Sequence, residues 1–520
     1  MPDFLAVSGK SRTFGPFPIA HSEWGADVRP MIQIIAVLAY FAVLVCVSRW
    51  SARRDAGNDT FFRAGRRSPW PLVAFGMIGA SISGVTFISV PGMVLTSQMT
   101  YMQLCLGFIL GYIAVAFVLL PVYYRLNLTS IYAYLGQRLG SGAYKTGAWF
   151  FIVSKMAGAA IKFYVVCIIL QQMVLSAWGV PFWLTASAMV LLIWLYTRHG
   201  GVRTLVYTDT FQTLCLFASL LLIIYIVVRQ LGYTPVEAIH AVTADARSRI
   251  FVLDDWTSPQ YFWKQIVSGA FIVVVMTGLD QDMMQKNLTC RTLHEAQKDV
   301  CSYSLAFVPA NLLFLALGIL LAQFFESRGV TLPARGDELL PMFVGGGAAS
   351  ELTSHFSLLT SHLSLLFVIG IVASSFSSAD SALTSLTTSF CVDICGRSDD
   401  EWLRRRVHKL ICVLFVVVIV IFERLNDRSL IDAIYTIVGY TYGPLLGLFA
   451  FGLFTRWHVK GRWVPLVCVT SPVACYLMSM LSERLWSYRF GYELLLLNGL
   501  LTFAGLLLLV QGRGRKSDSR

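Results

Sequence analysis

The chain has 520 residues, 56% of them hydrophobic and only 13% charged, with a formal net charge of +12 at pH 7. A soluble protein of this size carries charge on about a quarter of its residues, so a water-soluble globular domain is excluded. The basic excess comes without an aromatic-basic patch, which argues against a nucleic-acid partner and leaves membrane topology and anionic lipid as its meaning.

Apolar runs recur from residue 31 to residue 510, many reaching the ~20 residues a helix needs to cross a bilayer. They predict an all-α polytopic membrane protein with thirteen spans: 31–48, 71–97, 101–124, 146–177, 181–196, 204–228, 262–284, 300–325, 358–393, 408–423, 430–455, 463–482 and 492–510. Residues 1–30 have neither the basic start nor the apolar stretch of a cleaved signal, so the first span is expected to persist in the mature protein. Placing the N-terminus outside puts 26 of the 41 Lys and Arg residues on inner segments and 13 on outer ones, the expected bias. Segment 1–30 is then extracytoplasmic and the basic tail 511–520 cytoplasmic. All eleven cysteines fall in spans or inner loops, which argues against a disulfide framework.

In chain order, the first unusual stretch is "GASISGVTFISVPGMV", residues 79–94. Its glycines, its serines and Pro91 all loosen helical hydrogen bonding. Irregular backbone at membrane depth survives only when buried in protein or lining a wet cavity. A kinked helix packed through small residues is the plainer alternative.

The two basic residues left over lie within one span, Lys155 and Lys162 in "FFIVSKMAGAAIKFYVVCIIL", on roughly one helical face. Lys155 fits a side chain snorkelling to the inner surface. Lys162 is near mid-span, where a cation must be hydrated or paired, with a protein carboxylate or with an anionic substrate. Asp209, in "GGVRTLVYTDTFQ", is an acid about one and a half turns inside a span. The segment "VVVMTGLDQDMMQK", 273–286, is a second candidate interruption, five spans after the first. Paired interruptions in two halves point to an inverted-repeat transporter. Finally, "VASSFSSADSALTSLTTSFCVDI", 372–394, carries a hydroxyl stripe with Asp380 inside it. Hydroxyls, carboxylates and freed carbonyls are hard oxygen ligands suited to a small cation, and two such acids favour a cation path over simple helix glue. Nucleotide-binding, zinc-protease and serine-hydrolase motifs do not occur in the chain. An enzyme is not indicated, and an ion gradient is the remaining energy source.

Together, "SISGVTFISVPG", "GGVRTLVYTDTFQ", "SSFSSADSALTSLTTSFCVDI" and the supporting "DQDMMQ" resemble the sodium:solute symporter family. The resemblance implies a LeuT-type five-plus-five inverted repeat, over 71–228 and 262–455, preceded by the helix at 31–48 and followed by two helices over 463–510. It implies a main sodium site built from carbonyls of Gly79, Ile82 and Ser374 with hydroxyls of Ser377 and Ser378. A second sodium site or exit path would use Asp209, Ser377, Asp380 and Ser381, with Asp380 in place of a serine of the sialic-acid branch. Ser81, Ser83 and Thr86 would line the solute pocket. That branch's pocket glutamine falls at Cys105, with Gln103 two residues earlier, and its carboxylate-binding arginine falls near Gly158, flanked by Lys155 and Lys162.

The expected function is sodium-coupled symport of a small organic solute, anionic by preference (a carboxylated sugar or organic acid), in the bacterial inner membrane, with a monomer as the working unit. A neutral sugar or amino acid as solute, proton coupling through Asp209 and Asp380, and a non-transporting ion sensor are the alternatives. Short inner loops and a tail without a signalling domain speak against the sensor.

Overall fold

In the computed structural model, which describes residues 28–52, 61–62, 64–171, 175, 178–345, 357–425, 430–486, 488 and 490–513, the apolar runs are helices. Helix α1 spans Val28–Ala52. Trp70–Ser81 (α2) and Gly84–Ser97 (α3) form one broken span bent by 59°. Tyr101–Arg125 (α4) crosses with a π-helical turn at Val115–Leu119. After the short Ala133–Leu139 (α5) comes Ser141–Leu170 (α6). Phe182–Arg198 (α7) and Gly201–Gln230 (α8) are split at Gly201, whose φ is 51°. A side chain there would also strike the Phe61 carbonyl, its Cβ only 2.5 Å away, so glycine is required twice over.

The connection that follows carries Pro235–Ala244 (α9), started by a Thr234–Glu237 capping box. Phe262–Gly278 (α10) and Gln281–Asn287 (α11) make the second broken span, bent by 71°. Then follow Leu293–Ser327 (α12), Leu339–Gly345 (α13) and Ser357–Ser389 (α14), the last extended by a π-turn at Phe390–Ile394. Glu401–Leu425 (α15), Leu430–Thr441 (α16), Gly443–Phe454 (α17), Val464–Trp486 (α18) and Leu494–Leu508 (α19) complete the helices. A small antiparallel pair, Trp457–Val459 with Val510–Arg513, ties the loop after α17 to the end of α19.

Among the described residues, seven helices are long and apolar enough to cross a membrane, and the two bent pairs raise that to nine. Helices α7, α15, α16 with α17, and α19 occupy the other expected runs, which is compatible with thirteen crossings. The hydroxyl-rich α14 is central: 78% of its apolar window is buried in protein, against 22% for α18. It packs on α8, α6, α1 and α15. A polar stripe therefore sits in the innermost helix. Residues 1–27 of the expected N-terminal segment, the middle of the basic stretch after α1 and most of the C-terminal tail lie outside the described residues, and residues 28–30 already belong to α1.

Candidate functional site

The first break is open backbone. Helix α2 makes its last backbone bond from the Ile82 N–H to the Ile78 carbonyl (2.9 Å), and the next runs from the Phe87 N–H to the Ser83 carbonyl (3.1 Å). Ile82 and Ser83 are extended between them, with ψ of 93° and 171°. The carbonyls of residues 79–82 fall in that gap, freed from helical pairing. Glycines let neighbours close on it. A Cβ at Gly79 would lie 2.0 Å from Thr213 Oγ1 of α8, and one at Gly84 would lie 2.1 Å from Ser375 Oγ of α14. Ser378 Oγ donates to the Ala80 carbonyl at 3.2 Å. The expected main-site residues are thereby brought together: Gly79 and Ile82 at the break, with Ser374, Ser377 and Ser378 opposite on α14. Pro91 is not part of the break. It lies inside the continuous α3, where one missing N–H costs one bond and leaves the helix intact.

One turn further along α14, the expected second-site residues also meet, but a cation is already among them. Asp209 Oδ1 accepts from Ser377 Oγ at 2.8 Å, and Asp209 Oδ2 pairs with Lys286 Nζ at 2.6 Å. Both charged side chains are at most 2% exposed. Asp380 Oδ2 accepts from the Tyr196 hydroxyl at 2.7 Å and Oδ1 from Ser381 Oγ at 3.3 Å. The expected span limit at residue 284 falls short: α11 runs to Asn287 and carries Lys286 into the protein interior.

The second break is filled rather than open. The Gly278 carbonyl accepts from the Tyr123 hydroxyl and the Leu279 carbonyl from the Tyr132 hydroxyl, each at 2.8 Å. Asp280 caps α11 by accepting from the Asp282 N–H at 2.8 Å. Gln281 fastens α11 to Ile131 and Thr129, and Gln285 donates to the Phe62 carbonyl and to Thr388. Lys155 does not snorkel. Its ammonium lies 2.7 Å from Asp282 and 3.1 Å from Asp280, whose carboxylate also accepts from the Tyr442 hydroxyl at 2.7 Å. These inward-facing acids outcompete the distant interface, and they remove Lys155 as a free countercharge for solute.

Of the expected solute-pocket residues, Ser83 is buried at the residue preceding α3 and makes no capping bond, Thr86 is buried one turn later, and Ser81 is half-buried beside the Tyr112 hydroxyl. Gln103 points elsewhere. Its amide donates to the Gln260 carbonyl at 2.9 Å and its oxygen accepts from the Val252 N–H at 3.1 Å. Both ends are spent on the connection between α8 and α10, so the expectation of a pocket role is corrected. Cys105 is fully buried in the apolar core. Lys162 is half-buried and, among the described residues, has no carboxylate within ion-pair distance. One turn away at Gly158, an added Cβ would meet nothing within 4 Å. Open space thus lies between the two lysines, where the resemblance put an arginine.

Sequence reasoning missed Lys286, Tyr196, Tyr442, Tyr123 and Tyr132. For Lys286 the signal was its place one residue after "DQDMMQ". The tyrosines give no signal, because each acts on a backbone or carboxylate remote in sequence.

The family model described as sodium:solute symporter family matches residues 61–461. A sodium/sialic acid symporter of Aliivibrio fischeri is 25% identical over 451 residues, covering 82% of this chain and 83% of that protein. One from Proteus mirabilis is 24% identical, with 82% and 85% covered. The human sodium/iodide cotransporter is 24% identical over 80% of this chain and 65% of its own length. Among solved structures, a substrate-bound, outward-open Na+-coupled sialic acid symporter superposes with a TM-score of 0.75 at 21% identity, covering 92% of this chain and 97% of that one. The nucleobase-cation symporter Mhp1 gives 0.51 at 12% identity, covering 87% and 94%. The shared architecture is that of LeuT-type transporters.

Proposed function

The chain belongs to the sodium:solute symporter family, and on that premise we propose that it imports a small organic anion with sodium by alternating access. It is a multi-pass transporter, not an enzyme. We place it as a monomer in a bacterial inner membrane, with its N-terminus outside and its C-terminus in the cytoplasm. The observation that carries the sodium reading is the pairing of freed carbonyls at 79–82 with the Ser374–Ser378 turn of α14, locked in register by the Ser378–Ala80 bond. Those groups supply carbonyl and hydroxyl oxygens without a formal charge, the donor set that replaces water around a monovalent cation. A sodium ion there would tie α2 to α14. Solute bound beside it at Ser81, Ser83 and Thr86 would favour the same closed arrangement, and two ligands that favour one state raise each other's affinity reciprocally.

The anionic preference rests on Lys162. A cation at membrane depth with no carboxylate within ion-pair distance among the described residues is costly, and the space beside Gly158 lets a carboxylate of the solute reach it. Uptake into proteoliposomes under an imposed sodium or proton gradient tests the coupling, and Ser378→Ala is expected to raise the half-saturating sodium concentration about tenfold, the equivalent of ~1.4 kcal/mol. Unchanged sodium dependence in that variant removes the main-site assignment. Lys162→Gln is expected to raise KM for an anionic solute on the order of 30-fold, or ~2 kcal/mol, and to spare a neutral one. Equal effects on both would return the neutral-solute reading.

A further inference from the structure

The second-site carboxylate already holds a cation that cannot leave. We propose that the Lys286 ammonium takes the place of a second co-transported sodium, so that this symporter moves one sodium per solute. The inference rests on the sodium-symport reading above and extends it to stoichiometry.

Each ligand atom expected at the second site has a partner supplied by the chain. Asp209 Oδ2 holds Lys286 Nζ at 2.6 Å, and Asp209 Oδ1 takes the Ser377 hydroxyl proton at 2.8 Å. That bond directs the Ser377 hydrogen at Asp209, away from the main site, and leaves the oxygen lone pairs for an ion there. The Asp380 oxygens accept from Tyr196 and Ser381. Asp282 and Asp380 also act electrostatically on Lys286. An ammonium has three donors and a compact charge, so among these acids it does electrostatically what a bound sodium would do.

A second sodium would have to enter beside a fixed positive charge in a site at most 2% exposed, where like charges are weakly screened. Lys286 comes from α11, the inner half of the second broken span, while Asp209 and Ser377 belong to α8 and α14. The ion pair thus ties the second broken span to α8, as a bound ion would, without consuming one. The main site is untouched, because its oxygens come from the first break and from Ser374, Ser377 and Ser378.

Equilibrium binding of radioactive sodium to the purified full-length protein, counted per molecule, tests this. Wild type is expected to bind one, Ser378→Ala to lose it at the same concentration, and Lys286→Ser to bind two. The double variant Ser378→Ala/Lys286→Ser is expected to keep one, now held at Asp209. Lys286→Arg, which keeps the charge, should stay at one. Two sodium ions on wild type, or no gain in a Lys286→Ser protein that retains its helical circular dichroism and a cooperative melt, overturn the inference. Should Lys286→Ser not fold, the wild-type count alone decides. Wild type that binds none, with uptake driven by protons, instead removes the sodium reading itself, and this inference with it.

Discussion

Buried charge is handled here by pairing across elements, and that is the level at which sequence reading reached least far. A lysine seven residues from another on a hydrophobic helix reads as a snorkelling side chain, since nothing within its own span offers a partner. The partners of Lys155 are Asp280 and Asp282, more than a hundred residues away on the second broken span, with Lys155 only 12% exposed and both acids at 5% or less. Breaking a buried pair by removing one member leaves the other charge uncompensated, typically at ~3–5 kcal/mol. Lys155→Met is therefore expected to lower the melting temperature in detergent sharply, and adding Asp282→Asn should recover part of the loss. A Lys155→Met protein that melts like wild type would show that water, not lysine, neutralises those acids. By contrast Asp209 and Asp380 were legible, because an acid inside an apolar run is conspicuous without knowledge of its partner.

Whole elements were read more faithfully, since a broken helix announces itself through residues that weaken its own hydrogen bonds. Both interruptions occur, and the order of the helices follows the apolar runs. Composition does not fix where within a loosened segment the chain gives way. The 79–94 stretch offers glycines, serines and a proline, yet the break falls at Ile82–Ser83 and α3 runs through Pro91. Close approach decides it: Thr213 and Ser375 press on Gly79 and Gly84, so the backbone there serves its neighbours rather than its own helix. Gly79→Ala would push α2 away from α8, and sodium-driven uptake should need several-fold more sodium, whereas Pro91→Ala should leave the sodium dependence within about twofold. The opposite ranking would relocate the ion site towards the proline.

The connection between α8 and α10 is an element of a different kind, held by charge. Arg247 pairs with Asp245 at 2.7 Å and with Glu326 of α12 at 2.8 Å, and Gln323 donates to Asp245 at 2.9 Å. The Arg247 hydrogen bond, chiefly, holds the Asp245 carboxyl down at about 2. A depressed carboxylate pKa stabilises the folded arrangement above the unfolded value, and the contribution is lost as pH falls through the folded one. Amide exchange in residues 235–250 should accordingly be flat from pH 7 to about 4, after correction for intrinsic rates, and rise between about 4 and 2. Early loosening near pH 6 would mean that some other group carries the contact.

At the scale of the whole molecule, the placement of fixed cations sets what the membrane potential can drive. Each positive charge entering gains about 2.3 kcal/mol at −100 mV. If one sodium enters with a monoanion, the moving charge sums to zero, because Lys286 stays with the protein. The potential then does no net work, and a tenfold sodium gradient alone supports only about tenfold accumulation. The same chain carrying a neutral solute would be electrogenic. Proteoliposomes clamped by potassium and valinomycin separate these cases. With a singly charged carboxylate as solute, wild-type accumulation should be the same at 0 and −100 mV. Lys286→Ser, moving a second sodium, should gain with the negative potential, its electrical contribution approaching 50-fold, which is 2.3 kcal/mol expressed as a ratio. Potential-dependent uptake by wild type would mean either a second travelling cation or a neutral cargo, and repeating the clamp with a neutral solute tells them apart: Lys286 fails as the built-in cation in the first case, and Lys162 as the solute's partner in the second.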